Sequence, residues 1–167
     1  MKIALTLMAT VAFAGAAQAT TYSTFDWGVH DTLELAAEQT AVGGFEDTYL
    51  FTLPDHVQLY SSAVSINVNQ VLGLSDGNVT LFREAGVVDS EVGSFNFGPA
   101  SGNTTHGFGS PLAGDYYYRV TGMGTGSHGG EYTLTSTVTA VPEPGAAVMM
   151  LAGLGALLFM SKRRRQS

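Results

Sequence analysis

The stretch EYTLTSTVT, residues 131–139, alternates without a break. Tyr132, Leu134, Ser136 and Val138 fall on one side, and Thr133, Thr135, Thr137 and Thr139 on the other. A period of two is the period of a strand, because successive side chains point to opposite faces of a sheet. The same pattern recurs upstream. DTYLFTL (47–53) sets Tyr49, Phe51 and Leu53 against Thr48, Leu50 and Thr52; AVSINV predicts an inward set of Val64, Ile66 and Val68. NVTLF offers Val79 and Leu81, SFNF offers Phe95 and Phe97, and DYYYRVT offers Tyr116, Tyr118 and Val120, with Tyr117 facing out. A sheet with one dry face must cover it with a second sheet. The expected fold class is therefore all-β, an antiparallel β-sandwich.

The punctuation between these runs fits that expectation. Ser75, Asp76, Gly77 and Asn78 predict a tight turn just before NVTLF, since Asp and Gly tolerate positive φ. GMGTGSHGG (122–130) separates two aromatic strands and reads as a flexible hairpin loop. Its spaced glycines do not make a nucleotide fingerprint, because a phosphate-cradling loop must open a helix and here another strand follows. Residues 98–111 form a second glycine-rich loop, and DTLELAAEQ (31–39) is the single helical candidate.

Both ends of the chain differ from its middle. Residues 1–19, MKIALTLMATVAFAGAAQA, carry one early charge at Lys2, an apolar stretch from Ile3 to Gly15, and small residues at Ala17 and Ala19. That order is the one a secretory signal peptide needs, and it predicts a signal helix, signal peptidase as a partner, and cleavage after Ala19. Near the other end, Pro142, Glu143 and Pro144 precede sixteen uncharged residues, 145–160, and then Lys162, Arg163, Arg164 and Arg165. As a helix the uncharged run would reach about 24 Å at 1.5 Å per residue, against a hydrocarbon core of about 30 Å. Arginine stems can lie in the apolar zone with their heads at the interface, and the bilayer can thin locally, so a transmembrane helix is expected. Four consecutive cations, the cytoplasmic anchor, favour the cytoplasmic side. The expected organisation is a signal peptide over 1–19, an extracytoplasmic sandwich domain over 20–140, and a tail over 141–167.

Residues 20–140 are enough for one domain with a real core. They contain thirteen Asp and Glu, Arg83 and Arg119, and no lysine, a formal charge of −11 where the whole chain carries −7. So negative a surface repels phosphates and excludes nucleic acid as a main partner. Cysteine is absent, which removes disulfides, thiol nucleophiles and zinc–thiolate sites.

The order of signal peptide, VPEP, short apolar helix and arginine cluster resembles the PEP-CTERM sorting signal of exported proteins in Gram-negative bacteria. Prolines at 142 and 144 keep the segment extended, as a protease groove requires. The resemblance implies that exosortase, a membrane-embedded cysteine protease, processes residues near Pro142, Glu143 and Pro144. It also implies a transient membrane anchor, and a destination at the cell surface or in an extracellular matrix with exopolysaccharide or biofilm. Phe45, Asp47 and Tyr49 form an FxDxY pattern similar to the FxDxF family of PEP-CTERM proteins, with tyrosine at the third place. The strand succession over about 44–139 is similar to bacterial pre-peptidase C-terminal domains, which implies a jelly-roll-like sandwich and no chemistry of its own. The stretch between Arg83 and Pro111 departs from that likeness.

Candidate chemistry within the domain is sparse, and no enzyme and no cofactor are expected. His30, His56, His106 and His128 are scattered, no GxSxG elbow occurs, and Glu46 with Asp115 is a pairing any acidic β-protein offers. Asp47 offers two roles: a calcium ligand with Asp115 or Asp76, or, more commonly for Asp, a cap on the backbone at the start of its strand. Tyr117 could stack on a sugar or make an ordinary cross-strand contact. The function expected is a noncatalytic surface or matrix protein, with a carbohydrate-binding or calcium-dependent adhesion module as the alternative.

Overall fold

The computed structural model describes residues 19–102, 104–141 and 149–154. Nine strands make up the domain: β1 (Thr21–Val29), β2 (Leu33–Thr40), β3 (Gly43–Leu53), β4 (Val57–Ile66), β5 (Leu74–Arg83), β6 (Ser90–Phe97), β7 (His106–Gly107), β8 (Gly114–Gly124) and β9 (Gly130–Ala140). Five form one sheet in the order β1-β3-β8-β5-β6, and four form the other in the order β2-β9-β4-β7. The inward residues of both sheets meet in one core, which includes Phe45, Tyr49, Leu59, Leu81, Tyr118, Tyr132 and Leu134. The sandwich expected from the alternation is present.

One pair departs from the antiparallel expectation. β1 lies parallel to β3, from Thr21 opposite Phe45 to Val29 opposite Thr52. Parallel neighbours need a crossover between them, and β2 supplies it by visiting the opposite sheet before the chain returns as β3. Phe25 of β1 stacks on Tyr49 at 4.9 Å, and Trp27 leans on Tyr49 at 5.0 Å. The register shifts between Asp26 and Gly28, where Gly28 takes a positive φ of 68° and donates its N–H to Asp26 Oδ1 at 2.8 Å.

Four local readings of the sequence need correction. The helical candidate 31–39 is mostly β2, paired with β9 from Leu33 opposite Thr137 to Thr40 opposite Gly130. Helix propensity among Leu, Glu and Ala is worth only tenths of a kcal/mol per residue, less than the pairing that β9 offers along its full length. In β4 the inward set is Val57, Leu59, Ser61, Ala63 and Ser65, while Ile66 and Val68 are exposed and Val64 faces outward. Taken alone AVSINV favours the phase with Val64, Ile66 and Val68 inward; Val57 and Leu59, upstream in the same strand, fix the opposite phase and carry Ala63 and Ser65 inward with them. The Ser75–Asn78 signal is a bulge inside β5, where the register to β8 shifts and Asp76 has φ 55°. Asp76 supplies the left-handed backbone there, as it would in a turn.

The fourth correction concerns GMGTGSHGG. β8 and β9 belong to different sheets, so the segment is a corner between sheets rather than a hairpin. It is tied to the β4–β5 connection by four backbone bonds: Thr125 N to Gly73 O, Gly73 N to Gly129 O, Ser127 N to Gln70 O, and His128 N to Val71 O. A Cβ on Gly129 would stand 1.8 Å from the Thr40 carbonyl oxygen, and φ there is +87°. Glycine is required at this corner because two backbones pass too close for any side chain.

Among the described residues no helix is long and apolar enough to cross a membrane. The expected signal helix and Ala17 lie outside the described residues, as do Pro142, Glu143, Pro144, most of the 145–160 run and Lys162, Arg163, Arg164 and Arg165. Ala19 is the first described residue and is exposed. Residues 149–154 are helical, with Met149, Met150, Leu151 and Leu154 all exposed.

Candidate functional site

The last strand defines where the domain stops and the tail begins. β9 is paired with β4 as far as Ala140, which stands opposite Val57. Val141 then donates its N–H to the His56 carbonyl at 2.7 Å. Pro142 follows at once. No linker separates the last backbone bond of the fold from the Pro-Glu-Pro step.

Phe45, Asp47 and Tyr49 all point inward from β3 and all are buried. Their spacing of two puts them on one face, and on that face they meet a single residue of the other sheet, Tyr132 of β9. Phe45 stacks on the Tyr132 ring at 5.5 Å. Tyr132 donates its hydroxyl to Asp47 Oδ2 at 2.6 Å, and its oxygen lies 2.6 Å from the Tyr49 hydroxyl, which therefore donates to it. The motif is a clasp between the sheets, and tyrosine at its third place supplies a hydrogen bond that phenylalanine could not. Asp47 thus sits in mid-strand on a side-chain partner and is not a backbone cap at a strand start.

A second polar chain crosses the same core. The Ser61 hydroxyl donates to Tyr118, whose hydroxyl lies 3.0 Å from Ser136 Oγ, which lies 2.7 Å from His30 Nε2. His30 Nδ1 is 2.5 Å from the Asp31 carbonyl oxygen. A carbonyl can only accept, so Nδ1 carries the proton and Nε2 accepts from Ser136. All donors therefore run one way, from Ser61 to His30. Burial holds the His30 ring below its ordinary pKa and pushes the Tyr118 hydroxyl up to about 12. The serine–histidine contact has the distance of a nucleophile and its base, but Ser136 is fully buried and no substrate can reach it. Sequence reasoning could not pair two residues 106 positions apart; the sole hint was a serine on the apolar side of EYTLTSTVT.

A cleft of about 210 Å³ opens between edge strands β1 and β2, lined by Ser23, Glu38, Gln39, Thr40 and Asp47 among others. Burial raises the Asp47 carboxyl, against the opposing pull of hydrogen bonds from Tyr132 and Ser23. Burial, and then the charge of Asp47, raises Glu38. The remaining sequence candidates do not converge. Asp47 faces the core opposite Val120, whereas Asp115 faces outward and accepts the Thr52 hydroxyl at 2.7 Å. Asp76 lies at the β5 bulge, bonded by Ser75. Glu46 pairs with Thr121, six positions along β8 from Asp115, or about 20 Å. Among the described residues no group of three or more His, Cys, Asp or Glu could hold a metal ion. Tyr117 stacks on Phe82 at 5.1 Å and donates to Asp89 at 2.9 Å, and Arg119 covers Phe82 at 4.4 Å. The cross-strand contact occupies one face of the Tyr117 ring.

Comparison with known proteins adds the following. No curated protein sequence matches the chain. Among solved structures, a periplasmic inhibitor of g-type lysozyme from Aeromonas hydrophila is similar, with 14% identity over 72% of this chain and 100% of that one and a TM-score of 0.49. The Yersinia pseudotuberculosis-derived mitogen is similar at 16% identity over 67% and 90%, TM-score 0.44. A pre-peptidase C-terminal domain of collagenase from Bacillus anthracis is similar at 17% identity over 70% and 94%, TM-score 0.40. Residues 140–165 match the PEP-CTERM protein-sorting motif, so this chain carries an exported protein's sorting signal, beginning at the last residue of its final strand.

Proposed function

We propose that the chain is an exported, noncatalytic surface or matrix protein in which the sandwich, residues 20–140, is the cargo and residues 141–167 are the address. The tail spans the inner membrane over 145–160 with Lys162, Arg163, Arg164 and Arg165 on the cytoplasmic side. Exosortase cuts near Pro142, Glu143 and Pro144, and the released domain enters an extracellular polysaccharide layer. One observation carries this reading: the fold is complete at Val141, so cutting just beyond it removes no strand, core residue or backbone bond described in the domain. The buried Ser136 and the scattered carboxylates support a noncatalytic role.

Mass spectrometry of the mature protein from its native host tests the proposal. The expected product begins at Thr20 and ends close to Glu143. A stable membrane protein that retains Arg163, Arg164 and Arg165 would contradict it. A chain ending at Ala140 is expected to be exported but not retained at the surface.

A further inference from the structure

Four connections and the chain exit share one end of the sandwich. They are residues 30–32 between β1 and β2, 54–56 between β3 and β4, 84–89 between β5 and β6, 108–113 before β8, and Val141 after β9. The registers require it, since Leu53 stands opposite Gly114, Arg83 opposite Tyr116, and Val57 opposite Ala140. Backbone bonds hold these segments to the strand ends and, once, to each other: His30 N to Thr52 O of β3, Glu84 N to Asp115 O of β8, Val138 N of β9 to Thr32 O, and Val141 N to His56 O.

This end is also where apolar side chains are left in water. Val87 is 98% exposed, Val88 76%, Val29 69%, Leu112 68% and Leu33 57%. Near the opposite end Val42, Ile66, Val68, Val71 and Met123 are exposed by 38–49%, and Tyr22, at 73%, exceeds them there; Leu35, 63% exposed, lies on β2 two positions in from Leu33. Single exposed apolar residues are ordinary on a soluble protein. A gathering of the most exposed ones round the end from which an apolar tail departs is not explained by the fold, because none of the five touches the core.

Chain length fixes what that end must face. From Val141 to Gly145 is four residue steps, at most about 14 Å when extended. The headgroup layer on each side of a bilayer is about 5–7 Å thick. If the apolar run from Gly145 enters the membrane, the exit end is held at the lipid surface. We infer that this end of the sandwich, through Val87, Val88 and Leu112 with Val29 and Leu33, docks on the lipid bilayer while the tail is uncut, and that the partner is the uncharged part of the lipid interface. This inference rests on the tail reading proposed above. The acidic groups at the same end, Asp31, Asp55, Glu84, Asp89 and Asp115, repel anionic headgroups, so docking favours zwitterionic lipid. Docking presents the Pro-Glu-Pro step at the membrane surface, within reach of a protease embedded there, and release of the tail removes the tether that enforces it.

The chain has no cysteine, so single labels can be placed at will. The full chain without residues 1–19 is reconstituted in phosphatidylcholine vesicles with an environment-sensitive fluorophore at Val88→Cys, Leu112→Cys, Val68→Cys or Leu157→Cys. Quenching by a lipid-borne quencher is expected to be about two-fold or more stronger at 88 and 112 than at 68, and strongest at 157. Adding anionic lipid should weaken it at 88 and 112 alone. Strong quenching at 157 with equal, weak quenching at the other three would overturn docking and leave the tail reading intact. Weak quenching at all four overturns both. A blue shift at 88 and 112 without lipid quenching would mean burial against protein, and also overturns the inference.

Discussion

The two ends of the sandwich are built on opposite rules. At the far end, residues 125–129 and 70–73 are knitted by backbone bonds, and Gly124 and Gly129 let the β8–β9 connection pass close to Thr40 and Ala41. At the exit end the β5–β6 loop holds its two valines in solvent, and the last strand runs straight into a sorting motif. The far end is spent on joining the sheets; the exit end leaves apolar surface that contributes nothing to folding. Mutations should therefore separate them, with stability concentrated away from the exit.

The sharpest test of that contrast is Gly129→Ala. A Cβ 1.8 Å from the Thr40 carbonyl, on a residue with φ +87°, forces the corner apart. A loss of at least about 3 kcal/mol is expected in denaturant unfolding, or no folded protein at all. A change below 1 kcal/mol would show that the corner is not the rigid end.

Next in size is Tyr132→Phe, midway between the ends. It strips Asp47 and Tyr49 of their shared partner and leaves the buried Asp47 carboxyl with Ser23 alone as donor, at a cost of about 2 kcal/mol. Asp47→Asn keeps an acceptor for Tyr132 and removes the charge, so combining it with Tyr132→Phe should recover part of the loss in a double-mutant cycle.

The clasp and the Ser61-to-His30 chain give opposing pH responses. Asp47 and Glu38 have folded pKa values above 3.8 and 4.5, so the folded state holds their protons more tightly than the unfolded chain. Their contribution to stability falls as pH rises through those raised values, and Asp47→Asn should flatten that limb. His30 has a folded pKa below 6.5, so its contribution is full above pH 6.5 and is lost as pH falls from there towards the folded value. His30→Gln should remove the second limb and leave the first; thermal melts across pH 4–8 read both.

The smallest effect belongs to the exit end. Val87→Asp with Val88→Asp should change stability by about 0.5 kcal/mol or less, because neither side chain touches the core. A larger loss would mean that the loop packs on something within the fold.

How much of this could be read beforehand differs from strand to strand. β3, β8 and β9 were legible with their faces, because Tyr49, Tyr118 and Tyr132 alternate against threonines or polar neighbours. β1 was missed: Phe25 and Trp27 alternate in TYSTFDWGV, but both remain partly exposed at a sheet edge and the signal is weak. β2 read as a helix because its inward positions are Glu34, Ala36, Glu38 and Thr40, which mark no apolar face. The spacing of Phe45, Asp47 and Tyr49 was visible as a motif, while its object, Tyr132, lies 83 positions beyond Tyr49 in the other sheet.

The amino-acid sequence by itself determined that the middle would be paired strands with aromatic inner faces and that the chain would end in a sorting signal. Both are properties of local order: side chains alternate over a few residues, and a Pro-Glu-Pro step, an apolar run and a cationic block are read in succession. The tertiary structure decided which sheet each strand joins, the phase of β4, the one-way chain from Ser61 to His30, and the placing of the exposed valines at the tail's exit. Those follow from contacts between residues far apart in sequence, where backbone pairing and buried hydroxyls select registers that local patterning does not fix.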